Sequence, residues 1–87
     1  MRVNECRQSM IDFCKANNYL VGSTVTQRNK IYDLGCKLAK YYSNHEDITD
    51  TVDMLTYMIY ICSDNITDAN SISQSVFNWL DEASKLV

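Results

Sequence analysis

The stretch Thr51–Ser63, TVDMLTYMIYICS, constrains the fold more than any other part of the chain. A turn per 3.6 residues puts Val52, Leu55, Met58, Ile59 and Cys62 on one face of a helix. Met54, Tyr57 and Ile61 widen that face beyond the arc of a one-sided surface helix. Asp53, Thr56 and Ser63 leave a narrow polar strip, with Tyr60 beside it. Such a helix needs cover on more than one side, so the pattern predicts a helix over about residues 50–63 at the centre of a helical bundle. The segment Tyr57–Cys62 has strand-forming composition, but it lacks clean alternation and lies between helix caps, so helix is the reading.

What flanks this run must also be helical. The 87 residues contain no proline and only two glycines, too few for the turns of a sandwich or barrel. A first helix is predicted over about residues 4–18, with Asn4 as its cap and Val3, Cys6, Met10, Phe13 and Cys14 as its apolar stripe. Arg7 lies at the stripe's edge, where its aliphatic stem can cover the core. Tyr19, Leu20 and Val21 close one end of the core, and Gly22 suits a left-handed backbone.

A second helix is predicted over 25–43, behind a Thr24-Val25-Thr26-Gln27 capping box. Ile31, Leu34, Leu38, Tyr41 and Tyr42 line its core face, and Asp33 is placed to pair with Lys37. Gly35 sits within that face at a propensity cost of about 1 kcal/mol, which implies close approach of another helix. Ile48-Thr49-Asp50 and Ile66-Thr67-Asp68 repeat one helix-start pattern, an apolar anchor followed by a cap. The last helix, about 68–85, turns Ala69, Ile72, Val76, Trp79, Leu80 and Ala83 inward and leaves Phe77 off that face. The expected fold is all-α, one compact four-helix domain over 1–87 with the third helix central.

Motifs for chemistry are few. His45, the only histidine, stands in the polar turn Asn44–Asp47, and reads as a solvated or helix-end residue more readily than as part of a Ser-His-acid site. Cys6, Cys14, Cys36 and Cys62 form no close pair of the kind that structural zinc sites use, and read as free buried thiols. Asp64, Asp68 and Asn70 superficially match a calcium loop, but the central Gly and the terminal Glu are missing. Phosphate-loop and dinucleotide fingerprints are absent, and convergence of carboxylates such as Asp12 and Asp33 has no support in the pattern. The expectation is therefore no catalytic residues, no cofactor, no metal and no enzyme.

Charge divides the chain. Residues 1–42 carry seven bases and three acids, net +4; residues 43–87 carry one base and eight acids, net −7. The two halves neutralise each other within one chain, or the split steers a partner. No stretch is long and apolar enough for a bilayer or a signal peptide, so no membrane partner is expected. The expected location is cytoplasmic, the host cytoplasm for a viral product. The pattern Asn65-Ile66-Thr67 has meaning only on a secretory route.

Three binding roles remain. The first is a small protein-binding regulator or inhibitor, of the general type carried by phages and other mobile elements. It would use excess apolar and aromatic surface at Met54, Tyr57, Ile61, Phe77 and Tyr32, with another protein or a second copy as partner. Core packing is the competing explanation for those five residues. The second role is nucleic-acid binding through Arg28, Lys30, Lys37 and Lys40 on the second helix, which the acidic second half opposes. The third is an acidic DNA mimic, for which eight acids over 45 residues are sparse.

Overall fold

The protein is described here from a computed structural model covering residues 3–65 and 68–87. Four helices follow in chain order: α1 (Val3–Ala16), α2 (Val25–Ser43), α3 (Thr49–Ile61) and α4 (Ala69–Ala83), the last continued by a 3-10 turn over Ser84–Leu86. This is the all-α four-helix bundle that the periodicity predicts. α3 is centrally placed, between α2 and α4, while α1 packs on α2 and α4.

Local chemistry sets the ends. At the start of α2 the Gln27 amide donates to Thr24 Oγ1 at 3.1 Å, and the Thr24 amide donates to Gln27 Oε1 at 2.8 Å, completing the predicted capping box. α1 and α2 both end through a left-handed residue, Asn18 (φ 58°) and His45 (φ 59°). The next amide reaches back five residues, Tyr19 to the Cys14 carbonyl and Glu46 to the Tyr41 carbonyl. His45 is thus a helix-end residue.

Other starts differ from expectation. α1 already includes Val3, so Asn4 is inside the helix and not its cap. α3 is stopped at its start by Asp47, whose Oδ1 accepts from the Thr49 amide at 3.0 Å; this contact holds the Asp47 carboxyl below its ordinary range. The Ile48-Thr49-Asp50 pattern therefore missed the capping group, which stands two positions before Thr49. Asp68 caps α4, accepting from the Asn70 amide at 2.9 Å and from Ser71 Oγ at 2.9 Å. Ile66 and Thr67, which belong to the second helix-start pattern and to the glycosylation pattern, lie outside the described residues.

The buried residues form one cluster. α1 supplies Cys6, Met10 and Cys14; α2 supplies Ile31, Leu38 and Ala39; α3 supplies Val52, Leu55 and Ile59; α4 supplies Ile72, Val76, Trp79, Leu80 and Ala83. Ala69 and Tyr42, expected inward, are exposed, and Tyr42 Oη instead donates to Asp81 Oδ1 at 3.2 Å. Gly35 is where α1 and α2 approach closely: a Cβ there would stand 2.7 Å from Met10 Sδ and 2.9 Å from Met10 Cγ. That contact explains a glycine inside a helix. Trp79 Nε1 donates to Ser9 Oγ at 3.0 Å, so the indole is buried with its one polar atom satisfied.

Two polar residues assigned to a solvent strip are buried instead. Thr56 Oγ1 pairs with Ser73 Oγ of α4 at 3.1 Å. Ser63 Oγ donates to the Ile59 carbonyl at 2.6 Å and accepts from the Leu20 amide at 2.8 Å. The second bond begins a clasp between the α1–α2 link and the α3–α4 link. It continues with the Asp64 amide on the Val21 carbonyl at 2.9 Å. Gly22, at φ 88°, completes it, since a Cβ there would run into the Asp64 carboxylate. Leu20 is buried at φ 66°, a conformation that costs an L-residue roughly 1–2 kcal/mol.

Candidate functional site

α3 carries more apolar surface than α2 and α4 cover. The two neighbours seal Val52, Leu55, Thr56 and Ile59. On the outward side Met54 (56% exposed), Tyr57 (63%) and Ile61 (57%) stand in a row at helical spacing. Tyr60 borders the row and is exposed as well. Phe77 (47% exposed) shares a side of α4 with Ser73, one turn away, which is the side that meets α3 at Thr56. Four of the five residues offered by sequence as an interface are thus on the surface. Standard side-chain areas put their summed exposed apolar surface at roughly 400 Å², the size of the largest apolar patch on an ordinary monomer, which is often functional.

Tyr32 is the exception and is corrected here: it is only 8% exposed and belongs to the core. The guanidinium of Arg7 covers its ring at 5.4 Å from the centroid. Burial also pushes the Tyr32 hydroxyl pKa above its ordinary value. Arg7 further donates to Asp33 Oδ1 at 2.8 Å and to Asn29 Oδ1 at 2.8 Å. Asp33 therefore pairs across helices with Arg7, where the sequence suggested Lys37.

Beside the α3 row, a groove of about 390 Å³ runs between α3 and α4. Asp53, Thr56, Tyr57 and Tyr60 form one wall, and Asn70 and Ser73 the other. Sequence reasoning missed this groove, because the Thr56–Ser73 seam beside it is a contact between two helices, which no single-helix pattern records.

The basic candidates divide. Arg28 is half-buried and committed to the loop, donating to the Ser23 carbonyl at 2.8 Å. Lys30, Lys37 and Lys40 are exposed, and helical spacing keeps them on one side of α2. Lys37 and Lys40 line a second groove, of about 340 Å³, together with Cys6, Cys36 and Val87. Cys6 and Cys36 meet there across α1 and α2. Burial raises the Cys6 thiol pKa, with the Cys36 contact acting against it. Burial, with Cys6 adding to it, pushes the Cys36 thiol up to about 12. Burial alone pushes Cys14 to about 12. Thiols so raised are overwhelmingly protonated at neutral pH and weak as nucleophiles.

Asp12 accepts from Gln8 Nε2 at 2.9 Å within α1, and Asp33 accepts from Arg7 across α1 and α2, so the two carboxylates are engaged separately. Among the described residues, no three His, Cys, Asp or Glu side chains gather in a group able to hold a metal ion. Among the described residues, no helix is long and apolar enough to cross a membrane. Compared with protein-family models, with curated proteins and with solved structures, the chain matches none.

Proposed function

We propose that this chain is a small non-catalytic regulator or inhibitor that acts by binding another protein through the outward face of α3. The observation that carries the reading is the row Met54, Tyr57 and Ile61, three large apolar side chains more than half exposed on one helix face. Leaving such a row in water forgoes burial energy of roughly 25 cal/mol per Å², and a partner recovers it. Tyrosine suits the task because it buries a large area at low side-chain entropy cost. The α3–α4 groove, lined by Tyr57, adjoins the row, and Phe77 is exposed on α4.

The test compares the native protein with Tyr57→Ala/Ile61→Ala and with the remote surface control Lys15→Ala. Sedimentation over a concentration series reads self-association, and affinity capture from the native host reads other partners. The reading expects an oligomer or a captured protein that the α3 double variant loses and the control keeps, with thermal stability unchanged. A chain that stays monomeric at high micromolar concentration, with identical capture by all three forms, overturns it.

A further inference from the structure

We infer that the α3 surface takes a protein segment whose apolar face is bordered by lysine or arginine, such as a basic amphipathic helix, and not a second copy of the same surface. This rests on the binding reading above and adds the chemistry of the partner.

The argument is one of charge. Residues 43–84 contain eight acids and no lysine or arginine, and all eight acids are exposed. Asp50 lies one turn before Met54, and Asp53 one turn before Tyr57, so both fall within the outward arc of α3. Asp64 stands in the turn just beyond Ile61. Among the described residues Asp50, Asp53 and Asp64 have no ion-pair partner. Lys37 and Lys40 lie on another side of the bundle, in the groove shared with Cys6 and Val87, and the α3 backbone has no close approach to that of α1 or the terminal 3-10 turn.

An apolar row with an unneutralised acidic border has a definite preference. A two-fold dimer places the same patch on both subunits, so it would bring one acidic border against the other. A partner edged with bases meets those carboxylates with opposite charge, which speeds encounter and fixes register. The shape is also suitable. Met54 to Ile61 spans about 10 Å of helix, two turns, and the adjacent groove offers Asp53 beside Tyr57 and Tyr60 to a side chain entering between α3 and α4.

The experiment titrates the whole chain with two synthetic helical peptides of identical apolar face, one flanked by lysines and one by glutamates. Amide chemical shifts locate binding, at low and high salt, and sedimentation of the protein alone runs beside them. The expected result is movement of amides 50–64, with the lysine peptide binding about tenfold tighter at low salt and the gap closing as salt rises. Asp50→Lys/Asp53→Lys, two exposed positions outside the core, reverses the preference. Equal binding of both peptides on α3, or salt-independent dimerisation through α3, overturns the charge argument and leaves the docking surface standing. Peptides that leave the α3 amides unmoved overturn both.

Discussion

Removing the Ser63 hydroxyl should cost far more than the size of the change suggests. In Ser63→Ala the Leu20 amide, buried and 2.8 Å from Ser63 Oγ, keeps its hydrogen and loses its acceptor. An orphaned buried donor costs about 1–3 kcal/mol, more than the net worth of an ordinary hydrogen bond. The loss falls on a residue already held at φ 66°, where the clasp is what opposes the backbone's own preference. For a chain of 87 residues, total stability is about 4–13 kcal/mol, so the loss is a sizeable share. Urea denaturation should show the midpoint falling by about 1–2 M with the slope unchanged, and the thermal midpoint falling by roughly 5–20 °C. Hydrogen exchange at the Leu20 amide should accelerate beyond the change in global stability. Thr56→Val is the comparison, because it also removes one buried hydroxyl. Its partner Ser73 is only half-buried and borders the open α3–α4 groove, where water replaces the lost bond, so the cost should stay below about 1 kcal/mol. If Ser63→Ala proves as mild as Thr56→Val, the clasp does not carry the role assigned to it.

Two further outcomes follow from the core. Gly35→Ala gains about 1 kcal/mol of helix propensity but crowds Met10, so it should destabilise by roughly 0–2 kcal/mol net. In the double variant with Met10→Ala the two losses should fall short of additive when measured by urea unfolding. Alkaline pH should also weaken the fold. Cys14 and Cys36 keep their protons to about 12 when folded, whereas the unfolded thiols release theirs near 9.0. The folded state therefore binds more protons between those values, and this contribution, complete below pH 9, is lost as pH rises toward 12. Urea midpoints at pH 7.5, 9 and 10.5 read the trend, and Cys14→Ser/Cys36→Ser should flatten it.

The bundle was legible because its signals are local. α2 was read correctly at both ends, since Thr24 and Gln27 announce the start within four residues. The exposed α3 row was only half legible: the width of the apolar arc showed in the sequence, but core packing against three other helices was the stronger reading for Met54, Tyr57 and Ile61, and all three are exposed. Thr56 and Ser63 were misread because periodicity sorts by polarity, and a hydroxyl can enter a core by bonding a carbonyl four residues back or another hydroxyl across a seam. Tyr32 was misplaced because what covers it is Arg7, 25 positions earlier in the chain and on another helix. The Leu20–Ser63 bond spans 43 residues and leaves no trace in either segment alone.

The clasp has a bearing on how such a molecule diversifies. It fastens the α1–α2 pair to the α3–α4 pair at one end, by backbone and hydroxyl groups that many surface sequences would tolerate. The outward residues of α3 and α4 take no part in that fastening. Exchanging Met54, Tyr57 and Ile61, with Asp50 and Asp53 beside them, for other surface residues therefore leaves the fastening untouched, and the α1–α2 pair serves as an unchanged chassis.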